Sequence, residues 1–208
     1  VSVVVRQHPH RRAEASGLRE HARAIFWYQG ESDGPNAIYY GRRFDQLMDA
    51  WREDFPKLEK VYLMQVRQGC GVGPDSLIFE AQRELPLRHP EVQLVSTSAQ
   101  PAHDSCHYLY EGYMRLSDQL ARLVARDFYG RSFGPEIASP DAIAAWRSNA
   151  LGDEVTVEFD AAAVGPVAQP GSQADFLFED GAQVLFITVS GPRRILHLDS
   201  AMTSTTVR

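Results

Sequence analysis

Ala24-Ile25-Phe26-Trp27-Tyr28-Gln29-Gly30-Glu31-Ser32-Asp33 is the stretch on which the fold turns. Its first five residues are apolar without alternation, the pattern of a strand buried on both faces of a parallel sheet. The polar, glycine-bearing tail marks where that strand ends. Downstream, Asn36 to Phe55 spaces Ile38, Phe44, Leu47, Met48 and Trp51 at helical intervals, and Pro56 stops the helix. Val61 to Val66 is a second apolar strand, followed by the Gly-rich loop Gly69 to Pro74. Ser76 to Arg88 predicts a helix and Val92 to Thr97 a third strand. Tyr110 to Phe128 then places Tyr113, Leu116, Leu120, Leu123 and Val124 on one helical face. Upstream, Glu14 to Arg23 also reads as a helix, which extends the alternation towards a strand near Val1–Val5. Strand and helix alternating in this way predict an α/β fold, with a parallel sheet covered on both faces.

After Gly134 the texture changes. Val155 to Phe159, Asp175 to Phe178, Val184 to Val189 and Ile195 to Leu198 are short β runs separated by Gly, Pro, Asp and Gln. They predict a small antiparallel sandwich or part of one. With Gly134-Pro135 as hinge, the expected division is an α/β domain over 1–134 and a β-rich segment over 135–208.

Composition narrows the function classes. Charged residues make up 23% of the 208 and the formal net charge is -6, so no basic face is available to neutralise phosphates. Nucleic acid is therefore excluded as the expected partner. The basic cluster Arg6 to Arg12 reads as a solvated tail. No apolar run approaches a membrane span, and no membrane partner is expected. Val1–Val5 is too short for a signal-peptide core, and a first residue other than Met leads us to expect an upstream segment. Two cysteines, Cys70 and Cys106, are too few for a disulfide scaffold, and whether they pair is open at this point. The compartment is open as well, a secreted or periplasmic one being compatible.

Sites in open parallel sheets gather at the carboxyl ends of strands. Two such ends are rich in polar residues, Gln29 to Asp33 and His103-Asp104-Ser105-Cys106-His107. Asp104 and His107 stand three apart. That spacing lets a carboxylate reach the imidazole Nδ1–H, fix the tautomer and leave Nε2 as a base. A helix N-cap beside an exposed histidine is the structural alternative. Gln29 offers a side-chain N–H suited to a tetrahedral oxyanion. Glu31 and Asp33 are two apart, without the partnership that a paired-carboxylate glycosidase site requires. His103, Asp104, Cys106 and His107 are too crowded to converge on one ion, and no second cluster answers them, so neither a metal nor any other cofactor is expected.

Trp27 to Asp33 resembles the "WxQGESD" block of the sialate O-acetylesterase and acetylxylan esterase group within the SGNH hydrolases. Asp104-Ser105-Cys106-His107, followed by Glu111-Gly112-Tyr113, resembles that group's terminal D-x-x-H block. Tyr62 to Arg67 and Glu80 to Arg83 resemble the strand and helix that intervene, so the similarity spans about Ala24 to Gly130. The resemblance implies a flavodoxin-like three-layer SGNH fold and a Ser-His-Asp esterase that removes O-acetyl groups from an acetylated carbohydrate or sialic acid. His107 would be the base, Asp104 its orienter and Gln29 the oxyanion donor, with Gly30 and Glu31 supporting the site. The group's "GQSN"-like nucleophile block has no counterpart in Val1 to Arg23. An upstream segment or another chain is therefore expected to supply the serine, and the loss of a first central strand should expose an apolar edge.

Two other readings stand beside this one. Gly30-Glu31-Ser32-Asp33-Gly34 matches the G-x-S-x-G elbow of α/β-hydrolases, with Ser32 as nucleophile, although Gly34-Pro35 separates it from the helix. A non-catalytic carbohydrate-binding module would instead use Trp27, Tyr28, Tyr108, Tyr110 and Trp146 as stacking surfaces.

Overall fold

The structure is a computed structural model that describes residues 11–73, 76–97, 100, 102–134, 137–138, 140–160, 173, 176 and 178–203. The chain divides into two compact units, one ending at Ala121 and the other starting at Arg122. The expected strand near Val1–Val5 lies outside the described residues.

In the first unit, β1 (Ala24–Tyr28), β2 (Lys60–Met64) and β3 (Val92–Val95) form a parallel sheet in the order β1-β2-β3. Ala24 stands opposite Lys60, and Val61 opposite Val92. Helix α1 (Ala37–Asp54) lies between β1 and β2 in sequence, and α2 (Ile78–Arg83) and α3 (Leu85–Arg88) lie between β2 and β3. Alternation along the strands gives each side chain its face. Ile25, Trp27, Val61, Leu63 and Val92 meet Phe44 and Met48 of α1, Ile78 of α2 and Leu85 of α3 in one core. The opposite face carries Tyr62, Met64 and Val95, all buried, with Tyr62 stacked on Phe26 at 5.3 Å. Among the described residues β1 pairs with β2 alone, and Phe26 is 50% exposed, so the sheet has an apolar edge there.

Two predicted helices are shorter than their hydrophobic spacing suggests. The Glu14–Arg23 helix instead covers residues 11–15 and then stops. Gly17 has a φ of 67°, the Gly17 N–H donates to Glu14 O, and the Leu18 N–H donates to Ala13 O. These bonds make the Schellman motif that glycine permits after a helix. A 3₁₀ turn, Arg19–His21, leads on to β1. The Ser76–Arg88 helix divides into α2 and α3, because Pro86 lacks an N–H and its ring opposes the Gln82 carbonyl. The long helix α4 (Tyr110–Tyr129) forms as expected, with Leu116 and Leu123 buried. No helix among the described residues is long and apolar enough to cross a membrane.

The second unit holds one antiparallel sheet in the order β4-β5-β7-β6, from β4 (Ala142–Arg147), β5 (Glu154–Phe159), β6 (Val184–Ser190) and β7 (Arg193–Leu198). It is a single layer among the described residues, not a sandwich. Val155, Val157, Leu196 and Leu198 bury one face against Phe178 and Met202. Strand β4 has no sequence signal, since Ala-Ile-Ala-Ala-Trp-Arg neither alternates nor favours strand, and all six residues are exposed. Pairing with β5 creates it. The run expected over Asp175–Phe178 is not a strand in its described part, and Asp175 and Leu177 lie outside the described residues.

Candidate active site

Parallel strands bring their carboxyl ends to one edge of the sheet, which gathers Gln29–Asp33, Gln65–Val72 and the segment after Val95. A hydrogen-bond network underlies these three ends. Gln82 of α2 is fully buried; its Nε2 donates to Gln29 O and to Tyr40 Oη, both at 3.1 Å, and its Oε1 accepts the Val66 N–H at 2.9 Å. Tyr40 Oη donates to the same Gln29 carbonyl at 3.1 Å. Thr97, also fully buried, donates its hydroxyl to Gln65 O at 2.7 Å, and its own carbonyl accepts the Tyr108 hydroxyl. One buried amide thus joins the end of β1 to the loop after β2. Replacing Gln82 with leucine should cost about 2–4 kcal/mol, because the Val66 N–H is left buried without its acceptor. Urea unfolding measures it, and a cost under about 0.5 kcal/mol would remove Gln82 from this role.

Gly30 follows Gln29 with a φ of 135°, and a Cβ there would lie 3.2 Å from both Gln82 Nε2 and Val66 Cγ1. Only glycine takes this conformation without strain. It turns the chain so that Gln29 donates from Nε2 to Asp33 Oδ2. The primary amide keeps a second N–H for another acceptor. Glu31 is half-buried on the same turn, and its side chain makes no hydrogen bond among the described residues. Ser32 is exposed there, and no hydrogen bond links it to His107 among the described residues. The strained backbone of a nucleophile elbow is absent at Ser32. The non-glycine described residues with positive φ are Cys70, Ala102 and Ser105.

The D-x-x-H stretch is a narrow loop. The Asp104 N–H donates to His107 O at 3.0 Å, and the Leu109 N–H donates to Ala102 O at 2.8 Å. Asp104 Oδ1 accepts the N–H groups of His107 at 2.6 Å and Cys106 at 2.8 Å. Its other oxygen, Oδ2, faces His107 Nδ1 at 3.6 Å. That gap is longer than a hydrogen bond. The two N–H groups, His107's first, hold the Asp104 carboxyl below the usual carboxylate range. Their contribution to loop order is complete above the ordinary value of about 4, and it is lost as pH falls through the lowered one. Both side chains are open to solvent, 70% for His107 and 51% for Asp104.

Arg67 and Tyr28 complete the surroundings. Arg67 Nη2 lies 2.9 Å from His103 Nε2, and its guanidinium lies 5.7 Å from the Tyr108 ring centre. Tyr28 stacks on Tyr108 at 6.4 Å, and burial pushes its hydroxyl up, with Tyr108 and Glu31 adding to the shift. It therefore stays a neutral donor. Arg67 Nη1 and Tyr28 Oη are buried without a hydrogen-bond partner among the described residues. Arg67 and Gln82 stand inside the motifs quoted for the resemblance, yet no spacing or pattern signals what they do. Of the aromatics considered as sugar platforms, Trp27 packs edge-on against Trp51 at 5.1 Å and Tyr108 is buried, whereas Tyr110 and Trp146 are exposed.

Cys70 and Cys106 form a disulfide between the Gly-rich loop and the D-x-x-H loop. Their sulfurs and a His107 ring nitrogen lie within 4.8 Å of one another. Cys70 thus adds to this cluster a potential donor from outside the D-x-x-H loop, which sequence spacing could not reveal. Metal ligation needs thiolates, however, and both sulfurs are spent on the disulfide.

Residues 7–126 match the family described as carbohydrate esterase, sialic acid-specific acetylesterase. No curated protein matches. Among solved structures, a protein of Arabidopsis thaliana determined at 1.6 Å is 28% identical, with a TM-score of 0.46. The match covers 57% of this chain and 51% of that one, so the chain spans about half the length of that solved chain. Both blocks quoted from the sequence, Trp27–Asp33 and Asp104–His107, fall inside a family match that takes in more than half of the 208 residues, and the chain belongs to the sialic acid-specific acetylesterase family of carbohydrate esterases.

Proposed function

We propose that this protein takes part in removing O-acetyl groups from an acetylated carbohydrate or sialic acid, by a Ser-His-Asp mechanism to which it contributes Asp104 and His107. The observation that carries this reading is the Asp104–His107 loop. It follows a parallel strand, its carboxylate faces Nδ1 of the imidazole, and both groups are open to solvent. Asp104 stays ionised and holds His107 in the tautomer that leaves Nε2 as base. His107 takes the proton of the attacking serine hydroxyl and returns it to the departing sugar oxygen. Water then releases acetate from the acetyl-enzyme by the same route. The second N–H of Gln29, on the turn set by Gly30, stabilises the oxyanion.

No serine among the described residues is hydrogen-bonded to His107. In this reading the nucleophile comes from a segment or chain that adds to the edge of β1 left unpaired among the described residues. A fluorophosphonate probe followed by peptide mass spectrometry tests it. No labelling within these 208 residues, with labelling of an upstream serine in a longer form of the protein, supports the reading. Labelling at Ser32 would replace it with an elbow-type hydrolase, and binding of acetylated sugar without labelling or turnover would make the protein a binding module.

Gln29→Ala should reduce kcat for acetyl-ester hydrolysis by roughly a hundredfold, with little change in KM, as expected for a donor used mainly in the transition state. A change confined to KM would place Gln29 in substrate binding instead.

A further inference from the structure

Hydrogen bonds within the Asp104–His107 loop shape its turn, but they tie it to no other part of the sheet's edge. Ala102 and Ser105 have φ values of 60° and 81°, conformations that a non-glycine residue keeps only under outside restraint. The two functional side chains are exposed, so packing does not fix them. Restraint comes from the loop after β2, at three points. Arg67 reaches His103. Gly69 lies so close to Ser105 that a Cβ on it would stand 1.7 Å from the Ser105 carbonyl oxygen. Cys70 is joined to Cys106, immediately before His107, across 36 residues of chain. The disulfide is the one tie of the three that chemistry can open and close. Cys106 is also the residue whose N–H, with that of His107, turns the Asp104 carboxylate towards the imidazole.

We propose that the Cys70–Cys106 disulfide is a positioning element for His107 and a redox control on it: oxidised, it keeps the acid–base loop in working register, and dithiol reduction releases the loop and lowers turnover. The consequence for turnover rests on the esterase reading above; the clamping of the loop does not. In the step itself, a dithiol's thiolate attacks one sulfur of the disulfide, giving a mixed disulfide and a free cysteine thiolate. The second thiol of the reagent then displaces the other cysteine. Two electrons and two protons pass to Cys70 and Cys106, and the reagent leaves as its own disulfide. Cys70 is exposed and Cys106 half-buried, so a reductant can reach the bond.

The test uses the full chain, with dithiothreitol as reductant, and reads hydrogen exchange by mass spectrometry beside ester hydrolysis. On reduction, peptides covering 102–109 should exchange about tenfold faster or more, while those of α1 stay unchanged. Hydrolysis should fall by about a hundredfold in kcat with little change in KM, since small misplacement of a catalytic group costs that much. Reoxidation should restore both. The Cys70→Ser, Cys106→Ser double variant should match the reduced protein and ignore the reductant. Unchanged exchange at 102–109 after complete reduction would overturn the proposal. Equal acceleration everywhere would overturn it too, by making the disulfide a general stabiliser of the unit. If the chain together with the segment that supplies the serine hydrolyses no ester in either state, exchange still decides the clamp, and the esterase reading is what fails.

Discussion

On the esterase reading proposed above, replacing His107 with alanine should lower acetyl-ester hydrolysis by on the order of 10⁴-fold, the scale of loss when the base of a triad is removed. The size of the effect follows from the position of the ring. Asp104 faces Nδ1, so in that reading the proton relay runs through this one imidazole. His103 is the nearest alternative in sequence, but its Nε2 meets Arg67, which can only donate, and that nitrogen is therefore spent as an acceptor. The side chain of His107 is 70% exposed, so truncating it opens no cavity. Thermal stability should stay within about 0.5 kcal/mol of the parent, which separates lost chemistry from lost fold. Steady-state kinetics and a melting curve on the same preparation make the comparison. A loss in kcat under about tenfold would take the role of base away from His107.

Gly69→Ala is the second large effect, and it reaches the site through the backbone. A Cβ at this position has two objections to meet at once. The φ of 126° is one that L side chains rarely adopt, and the new carbon would overlap the Ser105 carbonyl oxygen at 1.7 Å. The Cβ is fixed by its own backbone and its partner is a main-chain oxygen, so no rotamer relieves the clash. The two loops must separate, against a disulfide one residue away. We expect a loss of about 3 kcal/mol or more in urea unfolding, and a fall of roughly a hundredfold in kcat from displacement of the Asp104–His107 loop. Gly73, in the same Gly-rich loop, has nothing within 4 Å of its added Cβ, and serves as the control. If Gly69→Ala unfolds and turns over like Gly73→Ala, the close approach of the loops is not what holds the site.

How far the sequence carried the reading depends on the range of the interaction. The apolar run Ala24–Tyr28 and the helical spacing of α1 are local patterns, and the structure keeps both. The helix over residues 76–88 was readable as helix but not as two, although Pro86 stood in plain view, since hydrophobic spacing alone continues across it. The reverse happened at β4, where nothing local favours a strand and pairing with β5 makes one. At the site, Asp104 and His107 were legible because three residues of separation already limit where a carboxylate and an imidazole can point. Gln82 was not, since its meaning lies in Gln29 and Val66, which stand 53 and 16 residues away.

The sequence by itself determined the α/β class, the family blocks at Trp27–Asp33 and Asp104–His107, and the carboxyl edge on which both would fall. These follow from periodicity and short spacing, which act within a few residues of one another. Only the tertiary structure decided that Cys70 pairs with Cys106, that Gly69 must be bare to let Ser105 approach, and that a buried amide joins the ends of neighbouring strands. Each of these joins segments far apart in the chain. Such contacts exist only after parallel strands have brought their ends together, and no local pattern encodes that.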